Sequence, residues 1–343
     1  MFDCETLTGT HYEMGLQEGR IFRHLIRGNV HAYAMRHTFQ GSDSELDAGL
    51  EQMRQIYQTL APWVFEELRG IAEGSGVDYI WIERMHLRVW NLVPNKPLSP
   101  GGCTAIGMVT EEHGVVVGGT LDDPRQSYAL VRRLPKEGIP HIQIIWPGTA
   151  FGQNGINFAG LGVATTSLGQ CDPKLNVPLE TLSLVSFIQR MLLETCRTAS
   201  EAVALLKRVG CTGSFILGDA DGNLIAAQSV GSLLVLEKPE SNMVFYANHI
   251  SIKELLEVLK TQGCQPVPTD YSRTRCEVLQ RARKNLSPTL ATMKALLRSH
   301  EGYPHSICNE GTVMASIAVT QSKTGKFYIA DRPPCRNDFL LTF

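Results

Sequence analysis

A chain of 343 residues, 43% hydrophobic and 19% charged, is long enough to bury a large core and is too apolar for a disordered polymer. Its formal net charge of −2 excludes the basic stripe of a dedicated nucleic-acid binder, and no run of about eighteen apolar residues marks a membrane span. Nine cysteines, an odd number with no CxxC pair, argue against a disulfide framework and a zinc knuckle, and nothing in the sequence calls for a metal or an organic cofactor.

The N-terminus, MFDCETLTG, lacks a basic stretch followed by an apolar one, so no secretory signal is expected and cytoplasmic residence is. Met14, Ile21, Leu25, Ile26 and Val30 recur at near-helical spacing and predict one helix over 12–35. After the polar patch GSDSELD at 41–47, a second stripe (Leu46, Leu50, Met53, Ile56, Tyr57, Leu60) predicts another helix. Pro62 opens a turn toward Leu68 and Ile71, and residues 80–89 read as a short helix. The histidines of this region, His11, His24, His31 and His37, have no consistent metal-ligand spacing and read as solvated or capping residues. NKPLSPGG at 95–102 is the strongest breaker run in the protein.

Beyond it the pattern turns mainly to strand. Residues 104–109 and 114–118 flank EEHG as a hairpin, and strands follow at 128–134 and 141–146. GQNGINFAG at 152–160 reads as a glycine-rich turn leading into a strand at 160–167; no Gly-Lys-Ser/Thr follows to make it a phosphate cradle. Helices are predicted at 182–196 and 200–209, the second capped by Ser200. Strands at 215–218, 223–228, 233–236 and 243–247 read as one meander with ADGN as a turn. Helices at 270–285 and 288–300 and a last hairpin, 313–320 and 326–330 around SKTGK, complete the chain. Strands and helices come in blocks, which predicts an α+β fold with antiparallel sheets, the helices at 180–209 and 270–300 covering the outer faces of two stacked sheets.

The segment with the most chemistry in it is SPGGCTAIG at 99–107. Glycine reaches backbone angles closed to other residues, so a Gly102–Cys103 bond can be held where the thiol meets the preceding carbonyl. Attack there gives a thioester, and water then frees Cys103 as a new N-terminus. Its α-amine, with an ordinary pKa of about 7.7–8.0, serves as base for the thiol beside it. A buried cysteine at a strand start is the other reading of this segment.

The wider sequence resembles the penicillin acyltransferase family of the N-terminal-nucleophile hydrolase superfamily. The resemblance rests on GTHYEMGLQEG (9–19), EELRGIAEGSGVDY (66–79), GGCTAIG (101–107), GVVVGGTLDD (114–123), GQNGINFAGLGVATTS (152–167), YANH (246–249) and GYPHSIC (302–308), in that order. It implies a four-layer αββα sandwich and self-cleavage between Gly102 and Cys103. It also implies that a helical segment 1–102 stays associated with a segment 103–343 carrying the catalytic core. The implied substrate is an amide or an acyl thioester, acyl-coenzyme A among the candidates. Residue by residue, it makes Cys103 the nucleophile, Asn248 an oxyanion donor and Asp122 a contact to the substrate's polar end, with Ser306 and Asn309 also at the substrate. The sequence departs from the family at Thr120, where an asparagine is frequent, and at Asn309, where the penicillin enzyme has an arginine. Loss of that guanidinium removes a carboxylate clamp and argues against a penicillin nucleus as substrate. His249 either orients Asn248 or is a core or cap residue. The acyl-enzyme would be resolved by water, giving an amidase, or by an amine, giving an acyltransferase. The alternatives are an uncleaved, non-catalytic binding protein that keeps the fold, and a cysteine peptidase using a Cys–His pair.

Overall fold

A computed structural model describes residues 4–36, 43–87, 102–123, 127–168, 185–263, 266–321 and 326–342. The breaker run before Gly102, Cys171, Cys264, the turn expected at 322–325 and the start of the helix expected at 182 lie outside the described residues.

Two sheets stack face to face. One holds β2 (Gly102–Thr110) and β3 (Gly114–Asp122), flanked by β11 (Met243–Tyr246) on one side and by β12 (Met314–Val319), β13 (Lys326–Asp331) and β14 (Leu340–Leu341) on the other, all antiparallel. The other is ordered β1 (Cys4–Gly9), β4 (Ala129–Pro135), β5 (His141–Ile145), β6 (Gly152–Asn157), β7 (Gly162–Thr166), β8 (Gly213–Gly218), β9 (Leu224–Val230) and β10 (Leu233–Glu237). Period-two alternation sorts the side chains between layers. Ala105 on β2 and Val115 and Val117 on β3 meet Ala164, Ile216 and Ala226 of the facing sheet. Ile106, Met108 and Val116 turn the other way, onto Val278 and Leu279 of α9 (Asp270–Asn285) and Met293 and Leu296 of α10 (Leu290–Leu297). Helices α6 (Val185–Thr195), α7 (Ala199–Val209) and α8 (Lys253–Thr261) pack on the larger sheet. The order helix, sheet, sheet, helix is the αββα architecture of the N-terminal-nucleophile hydrolases.

The N-terminal segment packs against the larger sheet. The helix expected over 12–35 is two, α1 (His11–Ile21) and α2 (Arg23–Arg36), broken at Phe22, which packs between two core clusters. Thr10 and Glu13 form a reciprocal capping box that starts α1. Next come α3 (Asp43–Leu60), α4 (Val64–Ser75) and α5 (Tyr79–Leu87). Helices α1 and α4 touch backbone to backbone: a Cβ on Gly15 or Gly19 would strike the carbonyls of Glu67 or Ile71, and one on Gly70 or Gly74 those of Tyr12 or Leu16. The segment is not purely helical, because Cys4–Gly9 forms the edge strand β1, parallel to β4.

Three further expectations change. GQNGINFAG is mostly the strand β6; its glycines at 152 and 155 admit Gln143 and Leu193, and the turn comes only at 158–160. Thr198, not Ser200, caps α7 by accepting from the Glu201 N–H. β11 leaves the meander and pairs with β2, Tyr246 opposite Ala105, which covers an open edge of the smaller sheet.

A buried charge network ties α1 and α4 to the larger sheet. Arg133 on β4 donates to Glu18 (2.9 Å) and Glu67 (3.0 Å). Arg190 on α6 pairs with Glu67 (3.4 Å) and Glu194 (2.6 Å), and donates to His141 Nε2 (3.3 Å). His11, expected to be solvated or capping, stacks on Trp63 and meets Glu194 at 2.6 Å. Burial pushes Glu18 up to about 7 with Arg133 opposing, while burial and then Arg190 push His141 down to about 3. Burial works to raise Glu194 too, but Arg190 and His11 overcome it and hold that carboxyl at about 2.

Arg133→Leu leaves Glu18 and Glu67 buried without their cation, and should cost about 3–5 kcal/mol in urea unfolding. The titrations give a second expectation. Between about pH 6.5 and 4.5 the folded chain takes a proton at Glu18 that the unfolded chain does not, which favours folding as pH falls. Over the same range the unfolded chain protonates His141 and the folded chain refuses, which disfavours it. The slopes oppose, so the urea midpoint should stay nearly level down to about pH 4.5. It should then fall steeply as His141 and Glu194 both reject protons the unfolded chain accepts. In Glu18→Gln the decline should begin near pH 6.5; a level profile in that variant would contradict this assignment.

Candidate active site

Cys103 is the second residue of β2, opposite Leu121, with Gly102 opposite Asp122. Its alternation with Ala105 points the thiol between the sheets. There a pocket with an empty volume of about 230 Å³ is lined by Cys103, Gln153, Asn154, Thr165, Met314 and Ser316 among others. Asn154, inside the stretch expected to be a turn, is held there by its amide on Ser316 (3.2 Å) and by the Thr165 N–H on its oxygen (3.2 Å).

The backbone of Cys103 is gripped from the other face. Its N–H donates to Asn248 Oδ1 at 2.9 Å, and its carbonyl accepts from Arg275 Nη1. Arg275, on α9, also donates to Thr104 Oγ1 (3.0 Å) and to Asn248 Oδ1 (2.7 Å), and lies 3.7 Å from Asp122. Because β11 pairs with β2 and ends at Tyr246, the chain delivers Asn248 to the head of β2. The Asn248 amide nitrogen donates to the Ser167 carbonyl (2.9 Å), while the Ser167 N–H lies against the Cys103 sulfur. The backbone of Asn248 is held by Ser272 (2.7 Å), whose hydroxyl also meets His249 Nδ1 at 2.7 Å. His249 thus supports Asn248 through Ser272. Burial, then Arg275 and Arg273, lower its pKa.

Asp122 is buried, at the end of β3 beside Gly102. Its oxygens accept from Tyr271 (2.7 Å) and Thr312 (2.7 Å). Burial raises its pKa, opposed by Arg275 and by the hydroxyls of Thr312 and Tyr271. Burial first and the Asp122 charge second keep the Tyr271 phenol protonated, and so a donor. Asn309 gives its amide to Tyr271 Oη (2.8 Å) and the Ser306 carbonyl (3.0 Å), and the Ser306 hydroxyl donates to the Cys308 carbonyl (2.6 Å). The structure therefore brings Gly102, Cys103, Asn248 and Asp122 together. Ser306 and Asn309 sit one step back, their polar atoms engaged with neighbouring protein groups. Thr120 is opposite Thr104 and buried on the α9 side, its hydroxyl unpartnered among the described residues.

Sequence reasoning missed Arg275 and Tyr271, which stand on α9 as ordinary members of a polar helix, DYSRTRCEVLQRARKN. The Cys103 thiol itself is pushed up to about 12, by burial first and by Asp122 second, with Arg275 opposing. In the unbroken chain it is a neutral thiol at pH 7. Among the described residues, the cluster able to hold a metal is His300, Cys308 and Cys335, away from the Cys103 pocket.

The chain has distant likenesses among solved structures. It is similar to a Caenorhabditis elegans N-acylethanolamine-hydrolyzing acid amidase (NAAA) ortholog, at 15% identity and TM-score 0.46 over 64% of this chain and 93% of that one. It is similar to a mutant conjugated bile acid hydrolase from Clostridium perfringens, at 11% identity and TM-score 0.41 over 70% and 96%. It is also similar to penicillin V acylase from Agrobacterium tumefaciens, at 13% identity and TM-score 0.41 over 67% and 83%. No curated protein matches. The sequence profile of acyl-coenzyme A:6-aminopenicillanic acid acyl-transferase matches residues 112–331, and on that match the chain belongs to this family.

Proposed function

We propose that the chain cuts itself between Gly102 and Cys103 and then acts as a cysteine amidase on a small N-acyl amine or acylated amino acid. In the first step the Cys103 sulfur attacks the Gly102 carbonyl carbon, the C–N bond breaks, and the nitrogen leaves as the α-amine of Cys103. Water hydrolyses the resulting thioester, leaving a carboxylate on Gly102 and a free thiol. In turnover the amine takes the thiol proton, the sulfur attacks the substrate carbonyl, and the leaving amine departs with a proton. Water then releases the acid; an amine in its place would make the enzyme an acyltransferase.

The observation that carries this reading is the double hold on Cys103, with Asn248 on its nitrogen and Arg275 on its carbonyl. The nitrogen that would become the base is already oriented before any bond breaks, which is where positioning lowers a barrier. The Ser167 N–H beside the sulfur and the Asn248 amide, which in the unbroken chain bonds the Ser167 carbonyl, are the candidate donors to a developing oxyanion. Asp122, within the Tyr271–Thr312–Arg275 cage, is better suited to holding Gly102 and Cys103 in place than to greeting a substrate cation. Asn309, with its amide engaged internally, offers no carboxylate clamp, which supports a substrate other than a penicillin nucleus. The released segment would stay attached, since β1 is a strand of the larger sheet and Glu18 and Glu67 are locked on Arg133.

Denaturing mass spectrometry should find two fragments, the second beginning at Cys103, and a single chain in Cys103→Ala. An unbroken wild-type chain that turns over amides would refute the proposal, and a Cys103→Ala chain that is still cut would assign the cut to another protease. Gly102→Ala should slow processing severely, because a Cβ there would strike the Tyr271 ring and crowd Arg275 and Asn248. Asn248→Leu should lower turnover about 10²–10³-fold, or roughly 3–4 kcal/mol of barrier. Because the thiol is pushed up to about 12 in the intact chain, iodoacetamide at pH 7 should label Cys103 slowly before cleavage and quickly after it. Equal rates would remove the amine from the mechanism.

A further inference from the structure

Just past the C-terminal end of α10 three residues come together: His300, Cys308 and Cys335, with one potential ligand atom each and all three atoms within 4.8 Å of one another. The Cys308 sulfur is at the buried base of the group, and His300 and Cys335 are exposed at its mouth. Hydrogen bonds between neighbouring residues set up this arrangement. The Cys308 N–H donates to the Ser299 carbonyl at 3.0 Å, which joins the turn before Asn309 to the end of α10. Arg298 donates to the Pro334 carbonyl (2.8 Å) and the Asn337 carbonyl (2.9 Å), so the same helix end holds the loop carrying Cys335. The Ser306 hydroxyl fixes the Cys308 carbonyl at 2.6 Å and so sets the orientation of that residue.

We infer that His300, Cys308 and Cys335 form a binding site for a borderline-to-soft cation of the Zn2+ type, with three protein ligands and a fourth position open to water. Two thiolates and an imidazole are the donor set such ions select over Mg2+ or Ca2+, which take oxygen. Tetrahedral Zn–S and Zn–N bonds of about 2.3 and 2.0–2.1 Å place donors roughly 3.5–3.8 Å apart, so closing on a metal asks each side chain to move by less than about 1 Å. Binding releases a proton from each thiol and leaves no redox change to balance. The site is independent of cleavage at Cys103. Its consequence reaches the pocket all the same, because Cys308 precedes Asn309, which bonds the Tyr271 hydroxyl that bonds Asp122. A metal there would brace the Asp122 cage from outside.

The test uses the full chain, purified under reductant, stripped with a chelator and titrated with Zn2+ against a chromophoric competitor, and in parallel with Co2+. The expected result is about one equivalent per chain and a thiolate-to-cobalt charge-transfer band in the near ultraviolet. Both should be lost in His300→Ala and in Cys335→Ser and kept in Cys4→Ser. Because His300 and Cys335 are exposed, these substitutions should leave packing intact, and circular dichroism checks that. In the unmodified chain Zn2+ should protect Cys335 from iodoacetamide, a readout that needs no variant. Absence of protection, a cobalt spectrum without the thiolate band, or binding unchanged in both site variants would overturn the assignment.

Discussion

Arg275 holds the head of β2 where it is. A guanidinium is planar and carries its donors in a fixed fork, so one buried side chain can bond the Cys103 carbonyl, the Thr104 hydroxyl and the Asn248 side-chain oxygen at fixed relative positions. The Tyr271 ring lies 4.1 Å below it, and Asp122 balances its charge from 3.7 Å. Hydrogen bonds to a charged group contribute about 1.5–3 kcal/mol each, and in a buried site breaking one leaves a partner stranded. A lysine would keep the charge but lose the fork. The polar chemistry of Asp122, Tyr271, Asn309 and Thr312 is arranged around this cation.

The same logic, without the chemistry, joins the N-terminal segment to the rest. Two arginines from the C-terminal part, Arg133 and Arg190, are shared among Glu18, Glu67 and Glu194, and the backbone contact of α1 with α4 leaves no room for side chains that would push the two glutamates away. Buried ion pairs are costly to assemble and costly to break singly. Here they fix how one segment sits on the other.

Much of this was legible in the sequence. Hydrophobic alternation and breaker runs place β2, β4, β5, β12 and β13 within a residue or two, β3 runs four residues past its expected end, and the helical blocks lie on the outer faces as expected. Cys103, Gly102, Asn248 and Asp122 fall into one site because motifs mark them. What escaped has a common cause: its meaning is set by neighbours far along the chain. β1 carries a single fully buried apolar residue, Leu7, and is a strand because β4 offers it an edge. The glycines at 152 and 155 read as a turn but serve close packing against Gln143 and Leu193. β11 looked like the next strand of a meander, and only its pairing with β2 shows which sheet it belongs to. Arg275 and Tyr271 are typical of an exposed helix in composition, and no local signal tells that α9 turns them inward. Ser306 and Asn309 read as substrate contacts, yet their hydrogen bonds run to Cys308 and Tyr271.

Pairing β11 with β2 has an effect beyond covering an edge. Side chains alternate along a strand with period two, so sliding β2 by one residue against its neighbours would turn Cys103 out toward α9 and Thr104 in toward the opposite sheet. It would also carry the Cys103 nitrogen away from Asn248. On the mechanism proposed above, misassembled molecules would be chemically silent, and reactivity at residue 103 would serve as a built-in inspection of whether the strands had met in the right order and phase.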